Sequence, residues 1–134
     1  INSYMKIAYD FERYGRYAWD ISLTQQRFAA SGHCAYSGDL MEKMVDKTLH
    51  MVHASIDALR DNDGEIAKTL AVTEKEVDKI YLDYLDKLSK APPSTKCLIS
   101  TILVVRYLER IADHATYIAE SIYYIATGKK TVLR

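Results

Sequence analysis

The sequence predicts an all-α protein: an antiparallel three-helix bundle preceded by one further helix. Apolar residues recur every three or four positions along most of the 134-residue chain, which is the spacing of one helix face. Glycine and proline number only five and two, and most of them separate these periodic segments, where they end helices. The β-branched runs are short and never alternate cleanly, so no strand is expected. A chain of this length can bury a sizeable core.

The first helix is expected over about residues 3–30. Its predicted apolar face consists of Ile7, Ala8, Phe11, Gly15, Ala18 and Ile21. The small residues Gly15 and Ala18 are expected to let a neighbouring helix approach closely. The glycine- and serine-containing segment at 31–38 ends this helix.

The second helix is expected to begin at Asp39, which would cap it, with Glu42 completing a capping box. Its predicted apolar stripe consists of Met41, Val45, Leu49, Val52, Ile56 and Leu59. The acidic segment at 61–64 is interpreted as a helix stop followed by an N-cap. A calcium-binding loop is the weaker interpretation, because the sixth loop position holds Ile66 instead of glycine.

The third helix is expected over about residues 65–89 and the fourth over about residues 95–128. Two prolines between them cannot continue a helical hydrogen-bond ladder, and Gly128 is suited to the C-terminal end of the fourth helix. The third stripe consists of Ala67, Leu70, Glu74, Val77, Tyr81, Tyr84 and Leu88. The fourth stripe consists of Leu98, Ile102, Val105, Leu108, Ala112, Ala115, Ala119 and Ile122.

The first and fourth helices carry related motifs. Residues 10–20 are a degenerate copy of residues 106–120, with Glu12 aligned to Glu109 and Gly15 aligned to Ala112. Two copies of one helix indicate a duplicated helical unit. The earlier copy departs from the pattern because Arg16 stands where an acid is expected, so Glu12 is predicted to pair with Arg16.

Two acid-x-x-x-acid pairs stand on consecutive helices, Glu74 with Asp78 and Glu109 with Asp113. Residues four apart share a helix face, and Glu74 occupies a position in the apolar stripe. Because burying a lone carboxylate is costly, such residues are paired, exposed or bound to a cation. Oxygen ligands suit magnesium, manganese, calcium or iron, so these four residues are a candidate metal site.

Salt bridging at helical spacing is the competing interpretation of the same acids. The pairs would be Glu109 with Arg106 or Arg110, and Asp78 with Lys75 or Lys79. A second candidate ligand set lies on one face of the second helix, since histidine with carboxylate suits zinc or iron. That set consists of Asp46, His50, His53 and Asp57.

Several classes of function are disfavoured by the composition. Lysine plus arginine equals aspartate plus glutamate at 18 each, so no excess of positive charge attracts nucleic acid. No apolar run is long enough to insert into a membrane. The two cysteines, Cys34 and Cys97, match no metal spacing and are interpreted as reduced thiols of a cytoplasmic protein, although a disulfide stays open.

No phosphate-cradling glycine loop, nucleophile elbow or Cys-His arrangement is present, so no catalytic residues are assigned and an enzyme is not expected. A carboxylate-ligated metalloenzyme of helical-bundle type stays as an alternative. The Glu-x-x-His motifs of di-iron bundles are absent, which counts against it. A structural helical adaptor, with each acid in a salt bridge, is the other alternative.

Residues 109–120 resemble the signature of the PhoU family, which reads E-R-I-G-D-x-A-x-N-I-A-E. The matching residues are Glu109, Arg110, Ile111, Asp113, Ala115, Ile118, Ala119 and Glu120. Ala112 replaces the usual glycine and Tyr117 the usual asparagine. The resemblance extends over about residues 39–128.

The resemblance implies a fold of two tandem three-helix repeats. Residues 39–128 would be the second repeat, and residues 1–32 would be the last helix of a truncated first repeat. This agrees with a chain that opens at Ile1 inside a helical pattern, from which an upstream part is expected to be missing. The helix of the first repeat would cover its apolar face on the bundle or on another chain, so a homodimer or swapped oligomer is expected.

The resemblance also implies the function. PhoU proteins are cytoplasmic, non-enzymatic regulators of phosphate uptake that act by contact with the ATPase of the phosphate ABC transporter and with a sensor kinase. Some members bind metal through acid-x-x-x-acid motifs. Carried over to this chain, an iron, zinc or magnesium ion would be held by Glu74, Asp78, Glu109 and Asp113.

Overall fold

The computed structural model describes residues 2–28 and 38–131, and within these ranges it contains four helices and no strand. They are α1 (Asn2–Phe28), α2 (Asp39–Asp61), α3 (Gly64–Lys90) and α4 (Thr95–Thr127). The all-α prediction is therefore confirmed for the described part of the chain. None of these helices is long and apolar enough to cross a membrane.

The helix α4 is the centre of the molecule, since α1, α2 and α3 all pack against it. α2 and α3 also pack against each other, which completes the three-helix bundle. α1 also packs against α4, and its Tyr14 hydroxyl lies 2.9 Å from the Ser55 hydroxyl of α2. α1 runs antiparallel to α4, because Asp10 meets His114 while Tyr17 meets Tyr107. The middle of α4, residues 108–122, is consequently buried almost all round.

Helix ends follow the local sequence at the junction between α2 and α3. Asn62 adopts a left-handed conformation with φ of 50° and ends α2. The carboxylate of Asp63 then accepts hydrogen bonds from the backbone N–H of Glu65 at 2.9 Å and of Ile66 at 3.4 Å. The predicted helix stop followed by an N-cap is confirmed. Gly128, with φ of 74°, ends α4 as predicted.

The start of α2 differs from the prediction. Gly38 occupies the N-cap position and no side chain caps the helix. Asp39 is the first helical residue, so its predicted capping role was wrong. Its carboxylate still lies in the first turn, where the helix dipole favours negative charge.

The buried face of α2 also differs from the predicted stripe. The buried residues are Met41, Met44, Thr48, Met51, Ser55 and Ala58. Two members of the predicted stripe, Leu49 and Ile56, are 52% and 43% exposed. The helix carries two adjacent apolar stripes, and periodicity alone does not decide which of them meets α3 and α4.

The small residues of α4 are buried, whereas those of α1 are exposed. Ala112, Ala115 and Ala119 are buried in the core, as predicted for the close approach of helices around α4. Gly15 and Ala18 are exposed, and a Cβ added at Gly15 would meet no atom within 4 Å. The prediction for α1 was therefore wrong, because its inward face carries larger side chains. These side chains are Ile7, Phe11, Tyr14 and Ile21.

The prediction of reduced thiols was wrong for one of the two cysteines. Cys97, near the start of α4, is disulfide-bonded. Cys34 and the predicted break at 31–37 lie outside the described residues.

Replacing Asp63 with alanine is expected to lower the free energy of unfolding by about 1 kcal/mol, because two N–H groups of α3 lose their acceptor. Asp39→Ala is the matched control, since Asp39 makes no capping hydrogen bond. Urea denaturation followed by circular dichroism measures both variants. An equal loss in the two variants would contradict the assigned cap.

Candidate metal centre

Three carboxylates from two helices meet between α3 and α4. Glu74, Asp78 and Asp113 each place one oxygen so that the three atoms lie within 4.8 Å of one another. Glu74 and Asp113 are buried and Asp78 is half-buried. Among residues 2–28 and 38–131 this is the sole group of three potential metal ligands. We call these three residues the carboxylate cluster.

Helical periodicity explains how the cluster forms. Glu74 lies on the buried stripe of α3 between Leu70 and Val77, so the packing of α3 carries it inward. Asp78 follows one turn later on the same side. Asp113 lies in the segment of α4 that is buried by the surrounding helices. Antiparallel packing of α3 against α4 then brings the two acidic segments to the same level.

Glu109, the fourth predicted ligand, borders the carboxylate cluster instead of joining the group of three. It is buried one turn before Asp113, and the guanidinium of Arg106 donates a hydrogen bond to its carboxylate. Burial is the main cause that raises the pKa of Glu109 to about 7; the negative charges of Asp113 and Asp78 contribute, while Arg106 opposes the rise. The raised pKa therefore reflects a buried carboxyl group beside other carboxylates.

Arginine side chains balance part of this charge. Arg110 Nη1 lies 3.4 Å from Asp113 Oδ2, and Arg106 pairs with Glu109. The predicted pairing of Glu109 with Arg106 therefore forms, whereas the pairing of Asp113 with Arg110 was not predicted. Of the two lysines predicted for Asp78, Lys79 pairs with Asp83 instead, at 2.9 Å.

The donor set fits a hard cation. Carboxylate oxygens bind magnesium or calcium at roughly 2.0–2.6 Å, and three oxygens within 4.8 Å of one another are close enough to share one such ion. Iron or manganese accepts the same oxygens, whereas zinc prefers nitrogen and sulfur ligands.

The second predicted ligand set is not gathered into a site. Asp46, His50 and His53 are exposed along α2. Asp57 Oδ1 lies 3.1 Å from Arg60 Nη2 in an exposed salt bridge. In the described part of the chain, no potential metal-binding group includes a histidine.

The earlier copy of the motif, on α1, does not form an acidic site. Arg16 pairs with Asp20 at 3.5 Å, and Glu12 lies 3.8 Å from Arg13. The predicted pairing of Glu12 with Arg16 was therefore wrong, because the acid one turn after Arg16 takes its guanidinium.

Sequence reasoning missed a buried hydrogen-bonded pair between α1 and α4. His114 Nδ1 lies 2.7 Å from Asp10 Oδ1, and both side chains are buried. Lys6 Nζ lies 3.2 Å from the other Asp10 oxygen. The rings of Tyr9, Tyr17 and Tyr117 surround the imidazole. Only the four-residue spacing of Lys6 and Asp10 is a local signal, since the partner His114 is distant in sequence.

The fold and the cluster define an all-α bundle protein with a carboxylate centre between its last two helices. Residues 41–122 match the model of the PhoU domain. The chain therefore belongs to the PhoU family, as the signature at 109–120 predicts. No solved structure is detectably similar to it.

Similar proteins from three bacteria carry the same description, phosphate-specific transport system accessory protein PhoU homolog. The Clostridium acetobutylicum protein is 29% identical over 133 residues, covering 96% of this chain and 60% of the relative. The Synechocystis protein is 33% identical, covering 97% and 59%, and the Pseudomonas putida protein is 30% identical, covering 96% and 52%. The chain thus spans little more than half the length of these relatives.

Replacing Glu109 with glutamine is expected to stabilise the metal-free protein at about pH 8 by on the order of 2–3 kcal/mol. The pKa of Glu109 is raised by folding, so the folded wild type takes up a proton as the pH falls through about 7. The free energy of unfolding of the wild type should therefore increase as the pH falls from about 8 to about 5, and that of the variant should not show this increase. Urea denaturation in EDTA at several pH values measures it.

The matched control is Glu65→Gln, because Glu65 is an exposed glutamate at the start of α3. It is expected to keep the wild-type pH dependence. A Glu109→Gln profile parallel to that of the wild type would show that the carboxyl is not destabilised by burial.

Proposed function

We propose that this chain is a non-enzymatic, cytoplasmic regulator of phosphate uptake and phosphate homeostasis. The observation that carries the proposal is its membership of the PhoU family, together with relatives described as accessory proteins of phosphate-specific transport. An accessory protein acts by contact, so no catalytic residues are assigned. The proposed partners are the ATPase of the phosphate transporter and a sensor kinase.

The domain arrangement is part of the proposal. Residues 39–128 would form the second three-helix repeat, and residues 1–32 would be the last helix of the first repeat. The antiparallel packing of α1 on α4 supports this arrangement, as does the greater length of the relatives. The outward side of α1 exposes Tyr4, Met5, Tyr9, Trp19 and Leu23. In a homodimer or swapped oligomer, a first repeat supplied by either chain would cover it.

The carboxylate cluster is proposed to hold a divalent cation, with magnesium or iron favoured over zinc by the all-oxygen donors. The cation would neutralise the carboxylate charges that, after burial, contribute to the raised pKa of Glu109, and it would join α3 to α4. A structural adaptor without metal is the second candidate. It is favoured by the salt bridges of Arg106 with Glu109 and of Arg110 with Asp113.

The double variant Glu74→Gln, Asp113→Asn is expected to weaken binding of manganese by roughly a hundredfold, because the cation loses two of three anionic oxygens. Isothermal titration with Mn²⁺ measures affinity, and elemental analysis of protein purified without added metal measures retention. The matched control is Asp46→Asn, Asp57→Asn on α2. Equal affinity in the wild type and in the cluster variant would favour the adaptor.

A pull-down with the tagged chain is expected to enrich the ATPase of the phosphate transporter from cells in which both are expressed. A helical bundle of similar size and near-zero net charge serves as the control bait. Absence of enrichment relative to this control would contradict the proposed contact. The cluster variant, tested in parallel, shows whether the contact depends on the cation site.

A further inference from the structure

Two guanidinium groups from different helices converge on one phenol. Arg110 Nε of α4 donates a hydrogen bond to the Tyr17 hydroxyl of α1 at 3.4 Å. Arg13, one turn before Tyr17, places its guanidinium over the same ring. The guanidinium carbons of Arg13 and Arg110 lie 5.0 and 5.9 Å from the Tyr17 ring centroid. Both arginines therefore border the same small surface between α1 and α4.

This surface favours an anionic oxygen. Burial alone would raise the pKa of Tyr17, but the hydrogen bonds and charges of Arg110 and Arg13 outweigh it and lower the pKa. Arg110 donates to the Tyr17 oxygen and Arg13 lies over the ring, while this oxygen belongs to a neutral phenol. The positive potential of the two guanidinium groups is thus only partly balanced by the phenol oxygen of Tyr17.

Nearby carboxylates use only part of the hydrogen-bonding capacity of the two arginines. Arg110 contacts Asp113 at 3.4 Å through Nη1. Arg13 lies 3.8 Å from the exposed carboxylate of Glu12, which is beyond hydrogen-bond length. A guanidinium has five N–H donors in a planar fork, so each arginine keeps further donors.

The position of the two arginines suits binding of a ligand from solvent. Their side chains are 27% and 33% exposed, so the groups are partly desolvated yet still reachable. The ring of Tyr107 stacks on Tyr17 with centroids 6.0 Å apart and holds the phenol in place. One turn along the same interface, the buried pair of Asp10 and His114 holds α1 against α4. Helix packing therefore preorganises the guanidinium groups of Arg13 and Arg110.

We propose that Arg13 and Arg110 form an oxyanion site for a phosphate group, with Tyr17 at its base. The guanidinium groups of two arginines on two helices together require three or four acceptor oxygens. A tetrahedral phosphate offers this number and a carboxylate does not. The same chemistry is presented by free inorganic phosphate and by the phosphoryl group of a phosphorylated peptide. The site adjoins the carboxylate cluster through the contact of Arg110 with Asp113, but it needs neither a bound cation nor the transporter.

Isothermal titration of the EDTA-treated chain tests the site in two arms. One arm uses inorganic phosphate, and the other a short phosphoserine peptide beside its unphosphorylated form. Saturable binding in either arm is expected, and Arg13→Gln and Arg110→Gln should each weaken it by at least about tenfold, the scale of one lost charge-assisted contact. Tyr17→Phe should keep the affinity within about threefold, because both arginines remain.

Arg60→Gln is the matched control, since it removes an equally charged but exposed guanidinium on α2 that pairs with Asp57 and Asp61. It is expected to bind like the wild type. Thermal unfolding by circular dichroism checks that each variant folds, and Arg110→Lys, which keeps the charge but not the fork, replaces any variant that does not. Absence of saturable binding in both arms, or equal loss in Arg60→Gln, would overturn the proposal.

Failure of this test leaves the regulatory proposal standing, because no transporter component is present in the titration. The converse also holds: a failed pull-down with intact phosphate binding would remove the proposed contact and keep the oxyanion site.

Discussion

The burial of α4 between the other three helices is the constraint on which the rest of the structure depends. A helix covered on one side can turn its charged residues to water, but the middle of α4 has almost no such side. The charged side chains there take partners, because an unpaired buried charge is costly, and among the described residues of this segment only Nε2 of His114 is buried without a hydrogen-bond partner. Glu109 takes Arg106, Asp113 takes Arg110, and His114 takes Asp10 of α1.

Arg110 connects the two candidate sites of the molecule. On one side it contacts Asp113 of the carboxylate cluster, and on the other it donates to Tyr17 of α1. A cation at the cluster would compete with Arg110 for the Asp113 carboxylate, whereas an anion beside Tyr17 would attract the same guanidinium. One side chain therefore lies between a region that favours positive ligands and a region that favours negative ones. Its position at the α1–α4 interface also puts the Tyr17 site at the junction of the two proposed repeats, whereas the carboxylate cluster lies between α3 and α4.

Packing on α3 follows the sequence pattern more closely than packing on α1 or α2. The stripe on α3 contains one acid among apolar residues, so only one face can be the core and Glu74 is carried inward with it. On α2, two apolar stripes stand side by side, and the one with more methionine and small residues is buried. On α1, the small residues Gly15 and Ala18 face outward while aromatic and branched side chains meet α4. A pattern is decisive when one face is clearly polar and ambiguous when both are apolar.

The sequence by itself determined the four helices, the helix boundaries at Asp63 and Gly128, and the family. It also determined that acids four residues apart share one helix face. All of these features depend on neighbours within one or two helical turns. Only the tertiary structure decided which acids meet. It gathered Glu74, Asp78 and Asp113, and left Glu109 at their edge with Arg106. It also joined Asp10 to His114 and both arginines to Tyr17. These contacts depend on the rotation and the axial position of one helix relative to another. Packing of the whole core sets both, and no local sequence spacing encodes them.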